Sequence, residues 1–327
     1  MRVAVLGGGR SSEHEVSLAS AAAVRGGLLE GGHDVVAVEI GRDGRWCLDG
    51  RELSLTPAGG LLGADVVFPA LHGPYGEDGV VQGLLECLDV PYVGSGVASA
   101  ALCMDKVRFK QLMGAAGLPQ VDHRGVADPR WRAEPEAVLA ELSALRLPVF
   151  VKPARLGSSV GISKVRVAAE LPPALDAALA HDSLAIVEAA SSGLEVECSV
   201  LGDQSPRVSP PGEIVLRSEF YDYAAKYQEG GMTLVVPARI GEDEAAELAR
   251  IATEAFVRAG CSGLARADFF VEGRRVLLNE LNTMPGFTAT SGYAKLWDAG
   301  GLRYPRLIEE LCTIALARHA RERQYLY

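Results

Sequence analysis

No run in this sequence is long and apolar enough to cross a bilayer. The longest stretch without charge, Val90 to Met104, falls short of the roughly 18 residues a spanning helix needs and is broken by Pro91, Gly94 and Gly96. Met1 to Gly9 is apolar but cut by Arg2 and closed by Arg10, which is not the layout of a secretory signal, so a cytoplasmic location is expected. Cysteine is sparse: the six residues Cys47, Cys87, Cys103, Cys198, Cys261 and Cys312 form no CxxC pair and have no histidine at metal-ligand spacing. That excludes a disulfide framework and a zinc site, and they read as small core residues. Basic charge is also short. Lys and Arg number 32 against 42 Asp and Glu, a net charge of −10, which argues against a nucleic acid or an anionic membrane as partner.

What is present is globular. The chain is 48% apolar and 23% charged over 327 residues, enough for two domains, or three if small. Val3-Ala4-Val5-Leu6 followed by Gly7-Gly8-Gly9 predicts a buried parallel strand entering a glycine turn, then a helix over Glu13 to Leu29. Apolar runs at Asp34 to Ile40 and Asp65 to Leu71, then a helix near Val80 to Leu88, extend an α/β layered start. Asp105 to Ala116 predicts a helix stopped by Gly117 with Pro119 beyond it, which places a boundary near Met104. A central unit follows, with strands at Pro148 to Lys152 and Leu184 to Glu188 and a helix from Glu170 to His181. The last unit carries a strand over Glu195 to Leu201, an irregular stretch from Arg217 to Gly231, and a helix Glu242 to Ala259 striped by Leu248, Ala252 and Phe256. A hairpin, a Gly/Thr/Ser-rich loop and a last helix complete it. The expected division is 1–104, 105–188 and 189–327.

Several segments carry chemistry. The Gly7 turn has Ser12 where a dinucleotide fingerprint needs its third glycine, which disfavours a dehydrogenase. Ser12-Glu13-His14-Glu15 fits a capping box, yet a carboxylate at a strand's carboxyl end also suits a ligand amine, and both readings of Glu15 stand. Lys152 leaves a strand beside the loop Gly157-Ser158-Ser159-Val160-Gly161, offering a point charge, backbone N–H groups and hydroxyls to a phosphate, although it is not a Walker loop. In the hairpin, a turn centred near Arg274 sets Asp268 opposite Glu280 and Arg266 opposite Asn282. Two opposed carboxylates repel, so a hard cation such as Mg²⁺ between them, with Asn282 as a third oxygen donor, makes sense of the pattern. A phosphate lysine and such a triad together point to nucleotide phosphoryl transfer. Leu71 to Gly79, with His72, reads as a ligand loop, and the aromatic and basic run Phe220 to Tyr227 as a lid.

With these segments in order, the chain resembles the D-alanine:D-alanine ligases of the ATP-grasp superfamily. The shared motifs are Glu13-His14-Glu15-Val16-Ser17, Leu71-His72-Gly73, Gly76 to Gly79, Gly94-Ser95-Gly96, Met104-Asp105-Lys106, Val151-Lys152-Pro153, Gly157 to Gly161, Tyr221 to Tyr227 and Asn279 to Ser291. The resemblance implies an α/β (α+β ATP-grasp) fold, an N-terminal open parallel α/β domain followed by two ATP-grasp domains with antiparallel sheets that hold ATP between them. It implies that Lys106, Lys152 and Lys226 contact phosphates, that Glu188 and Glu195 hold adenine and ribose, and that Asn279 lies on the nucleotide side. Asp268, Glu280 and Asn282 would bind two Mg²⁺, or Mn²⁺ in substitution. Glu15 would receive the first D-alanine's ammonium and link through Ser158 to Tyr227, with His72 and Tyr221 nearby. Arg266 and the Gly286 N–H would stabilise the oxyanion, and Ser291, beside Gly292, would hold the second substrate's carboxylate. A homodimer is expected.

Two departures stand out. Ala189-Ala190-Ser191-Ser192 replaces the Lys and larger apolar residues usual after Glu188, and Gly292 stands where Met or Leu is usual, which predicts extra room at the second substrate. Two other readings compete: a relative joining D-alanine to another D-amino acid, and a non-catalytic sensor. The sensor reading predicts loss of Asp268, Glu280 or Arg266, and all three are present.

Overall fold

The computed structural model describes residues 1–157, 160–216 and 232–325. Ser158, Tyr221, Lys226, Tyr227 and the expected lid lie outside these described residues.

The opening apolar run forms β1 (Arg2–Gly8), buried from Val3 onward and paired in parallel on both sides with β2 (Asp34–Ile40) and β5 (Val66–Pro69). Strands β3 (Trp46–Leu48) and β4 (Arg51–Glu52) add an antiparallel edge, giving the order β4-β3-β2-β1-β5. Parallel strands buried on both faces need cover. Helix α1 (His14–Glu30) supplies part of it, and α2 (Val80–Leu88) and α3 (Val97–Met104) follow.

Asp105 ends α3 and caps α4 (Lys106–Ala115), its carboxylate accepting from the Arg108 N–H at 3.0 Å. The central sheet is wholly antiparallel in the order β6-β9-β7-β8, from β6 (His123–Ala127), β7 (Val149–Pro153), β8 (Ser163–Val165) and β9 (Leu184–Ala189). The second antiparallel sheet, β13-β12-β10-β14-β15 with β11 beside β10, comes from β10 (Leu194–Gly202), β11 (Arg207–Val208), β12 (Gly212–Leu216), β13 (Met232–Val235), β14 (Gly263–Glu272) and β15 (Arg275–Asn282). The helix Glu242–Arg258 lays Leu248, Ile251, Ala252, Ala255 and Phe256 on the outer face of that sheet.

Two packing relations cross the units. Phe109 and Met113 of α4 sit in the core of the last sheet, while Val107 packs with Ala154 and Ile186 of the central unit. The C-terminal helix Tyr304–Glu322 returns to the first unit, where Leu307, Ile308 and Leu311 share a core with Val3, Val5, Val24 and Leu28. The cysteine expectation holds for Cys103, Cys198, Cys261 and Cys312, which are buried, but Cys87 is exposed and Cys47 half-buried. Cys87 lies on α2 off the face that buries Val81, Leu85 and Leu88, and Cys47 lies on the antiparallel edge.

Candidate functional site

A cavity of about 610 Å³ opens where the three units meet, bounded by the loops of the parallel sheet and the facing surfaces of the two antiparallel sheets. Of the predicted site residues that are described, all but Glu15 line it.

Glu15 is the correction. Its side chain is 76% exposed and pairs with Arg42 at 3.0 Å on the outer surface. The capping box is absent as well, because α1 begins at His14 with Glu13 as its cap residue and no side-chain cap. The carboxylate that enters the cavity is Glu13, 8% exposed. Its backbone is held by Ser11, whose Oγ accepts from the Glu13 N–H at 3.1 Å and donates to the His72 carbonyl at 2.6 Å. Two glycines from different units make room for it: a Cβ at Gly73, itself at φ 72°, would lie 2.6 Å from Glu13 Oε2, and one at Gly157 would lie 3.1 Å away.

His72 is buried, with Nδ1 3.0 Å from the Met284 carbonyl and Nε2 2.8 Å from Ser20 Oγ. A carbonyl can only accept, so Nδ1 carries the proton and Nε2 accepts from the serine. Burial pushes the His72 pKa down, against the pull of Glu13, which keeps the ring neutral. Its role is to tie the Met284–Phe287 turn to the first unit; Ser20 Oγ completes the tie by accepting from the Phe287 N–H at 3.3 Å. Glu77, which sequence reasoning missed, accepts from the Gly73 N–H at 2.7 Å and has its pKa pushed up to about 8, first by burial and then by the neighbouring Glu13 charge.

Across the cavity stand the lysines. Lys106 Nζ donates to the Leu156 carbonyl at 2.9 Å and lies 3.6 Å from Glu280 Oε2. Lys152 on β7 is ion-paired with Glu188 on the neighbouring β9. Burial alone would lower its pKa, but Glu188, Glu280 and Glu195 more than reverse this and it is raised. Glu188 has a second cation that the sequence did not reveal. Lys110 of α4, 1% exposed, brings Nζ to 2.9 Å from Glu188 Oε1, as an ion pair rather than an aligned hydrogen bond. Burial would raise the Glu188 carboxyl, yet Lys110 and Lys152 hold it well below the usual carboxylate range. The only sequence signal was an i, i+4 lysine pair, Lys106 and Lys110, on a helix with apolar neighbours.

The hairpin pairs as expected: Asp268 faces Glu280 and Arg266 faces Asn282. The route differs. The turn lies between Glu272 and Arg275, one half-step earlier than expected, and a bulge between the Asp268 and Phe269 pairings leaves Asn279 as the extra residue that restores the register. The bulge also puts Asn279 and Glu280, consecutive in sequence, both on the cavity, which strict alternation forbids. Arg266 grips Asp268 through Nε to Oδ1 at 2.6 Å and Nη2 to Oδ2 at 2.7 Å, and Asn282 Nδ2 donates to Asp268 Oδ2 at 3.0 Å.

Glu195 of β10 lines the same cavity together with Phe150, Ile162 and Phe270. The Ala189 to Ser192 departure is accommodated by hydrogen bonds, Ser191 Oγ donating to Glu272 at 2.7 Å and accepting from the Gly193 N–H at 3.0 Å. Gly286 lies beside Ser291, whose Oγ accepts from the Thr288 N–H at 3.0 Å at the start of the helix Gly292–Ala299. The expected room at Gly292 is not there. A Cβ at that position would fall 2.2 Å from Glu197 Oε1, so a carboxylate already fills the space.

Comparison with known proteins points to one family. The family models described as D-ala D-ala ligase N-terminus and D-ala D-ala ligase C-terminus match residues 2–61 and 55–95, and residues 112–313, respectively. The D-alanine–D-alanine ligase of Deinococcus radiodurans is 45% identical over 96% of this chain and 98% of its own length, and that of Mycobacterium sp. (strain JLS) is 45% identical over 97% and 96%. Among solved structures, the D-alanine-D-alanine ligase from Coxiella burnetii superposes with a TM-score of 0.89 at 34% identity, covering 99% of this chain and 96% of that one. The VanG D-Ala:D-Ser ligase from Enterococcus faecalis superposes with a TM-score of 0.87 at 34% identity, covering 96% and 99%.

Proposed function

The chain belongs to the D-alanine–D-alanine ligase family, whose members join two D-alanine molecules at the expense of ATP for peptidoglycan synthesis, and on that premise we propose a role for each residue of the cleft. The observation that carries the assignment is the meeting of three charged groups in one cavity: the carboxylate pair Asp268 and Glu280, the lysines Lys106 and Lys152, and the carboxylate Glu13 on the side of the first unit.

The first D-alanine would seat its ammonium on Glu13 and present its carboxylate toward the lysines. ATP would lie between the antiparallel sheets, with Lys106 and Lys152 on its phosphates, joined by Lys226, and with Glu188, Glu195 and Asn279 along the nucleoside. Asp268, Glu280 and Asn282 fit Mg²⁺, because they are hard oxygen donors at adjacent register positions, with the Asn282 amide oxygen as the third donor. Bound there, two Mg²⁺ would neutralise charge passing from nucleotide to carboxylate. The first D-alanine's carboxylate would take the γ-phosphoryl group of ATP, releasing ADP; the second D-alanine, its amine unprotonated, would then attack the acyl carbon, losing a proton and expelling inorganic phosphate, while Arg266 and the Gly286 N–H hold the developing oxyanion and Ser291 the incoming carboxylate. His72, already committed to Met284 and Ser20, orients the turn that carries Gly286. Ser158, Tyr221 and Tyr227 would help exclude water, to which an acyl phosphate is vulnerable. The three units 1–104, 105–188 and 189–327, a cytoplasmic location and a homodimer complete the proposal.

The test contrasts two neighbouring carboxylates. Glu13→Gln should raise KM for D-alanine at the first site by tenfold or more, about 1.4 kcal/mol, whereas Glu15→Gln should behave like the wild type. The opposite ranking would return the role to Glu15.

A further inference from the structure

Asp268 faces two demands in this cleft. Arg266 takes both of its oxygens, and the proposed metal site claims the same carboxylate. A second anchor for the guanidinium is present. Glu197, 7% exposed, stands directly across from Asp268 on β10, so that Glu197, Asp268 and Glu280 form one row over three strands. Its Oε2 lies 3.2 Å from Arg266 Nε, and its Oε1 occupies the space in front of Gly292.

That glycine is there for space. Gly292 is not in the left-handed region, so its backbone conformation is open to any residue. A Cβ, however, would meet Glu197 at 2.2 Å, closer than any real contact, and the flexible carboxylate would be the part that moves. We propose that Glu197 is the positioning residue for Arg266, holding the guanidinium when Asp268 turns to the metal, and that Gly292 is what admits it. This rests on the reading of Arg266 as the oxyanion group and of Asp268 as a metal ligand.

A double-mutant cycle on the whole enzyme tests it, after wild-type dipeptide formation has established the ligase reading itself. Glu197→Ala should lower kcat about 10- to 100-fold, less than the loss of an oxyanion donor outright, with KM for ATP little changed. Gly292→Ala should reproduce that fall, and adding it to Glu197→Ala should cost nothing more. Glu197→Gln, which keeps an acceptor for Arg266, should recover part of the rate. In the absence of turnover, Mn²⁺ titration followed by electron paramagnetic resonance with ADP present should show weaker metal binding in Glu197→Ala, because Arg266 then falls back on Asp268. Multiplying losses in the double variant would place the effect of Gly292 in the substrate pocket and overturn the proposal, as would unchanged kcat and Mn²⁺ affinity in Glu197→Ala. If Glu197→Ala fails to fold by thermal melting, the same cycle with Glu197→Gln and Gly292→Ala decides between coupled and independent losses.

Discussion

Lys110→Met isolates the least expected contact beside the cleft. The substitution keeps an unbranched apolar stem of similar length in a site 1% exposed and deletes only the ammonium 2.9 Å from Glu188. Removing one partner of a buried pair costs about 3–5 kcal/mol when the other charge is left uncompensated. Here Lys152 stays on the second oxygen of Glu188, and the Lys110 contact lacks hydrogen-bond alignment, so a loss of about 1–3 kcal/mol is expected. Trp131, 6% exposed in the core of the central unit, reports its unfolding by fluorescence in urea once Trp46 and Trp297 are replaced by Phe. The sign with pH follows from the depressed Glu188 carboxyl: its contribution is present above the ordinary carboxylate value and is lost as pH falls toward the folded-state value. Without Lys110 that folded-state value rises toward the ordinary one, so the stability lost in acid should be smaller and the loss should level off at higher pH. Each 1 kcal/mol transmitted to Lys152 would raise KM for ATP about fivefold. A variant with wild-type urea midpoint, acid limb and KM for ATP would refute the claim that Lys110 holds Glu188 in place.

Glu280→Gln should abolish Mg²⁺-dependent turnover while the melting temperature stays near wild type, since the shape is kept and a charged metal ligand is lost; substantial activity would defeat the opposed-carboxylate argument. Glu77→Gln should change the pH dependence of stability of the substrate-free enzyme. A carboxyl raised from 4.5 to about 8 makes the native state lose stability as pH climbs between those values, so the variant should be flatter over that window in thermal melts; identical slopes would show that Glu77 ionises normally. Ser20→Ala removes the hydroxyl that joins His72 to the Phe287 N–H, and should lower kcat through the Gly286 turn more than it raises KM for ATP. A pure KM effect would contradict that route.

The parts legible in the sequence were those in which one local rule decides. Periodicity placed β1, α1, β7, β9 and the helix Glu242–Arg258 to within a few residues, because their apolar spacing is regular and most of their ends carry Gly or Pro. Asp268 opposite Glu280 was also legible, although the pairing depends on a bulge at Asn279 that no residue type announces. The structure brings Glu13 into the cavity where the sequence reading expected Glu15, because the capping-box pattern competes with a loop conformation set by Ser11 and by two distant glycines, Gly73 and Gly157. Lys110 and Glu197 were invisible for the same reason: each acts across strands or units, on partners that only the packed structure brings close. The return of the helix Tyr304–Glu322 to the first unit belongs with them, since an amphipathic stripe says that a helix is covered and not by what.

The central claim is that this cleft couples ATP cleavage to the joining of two D-alanines through Asp268, Glu280 and Arg266. The direct measurement follows ADP, phosphate and dipeptide together, with purified enzyme, Mg²⁺, ATP and D-alanine, for the wild type, Glu280→Gln and Arg266→Met. The account predicts equal amounts of ADP, phosphate and D-alanyl-D-alanine from the wild type, loss of all three in Glu280→Gln, and loss of the dipeptide in Arg266→Met. ATP cleaved without dipeptide by the wild type, or dipeptide still formed at the wild-type rate by either variant, would contradict it.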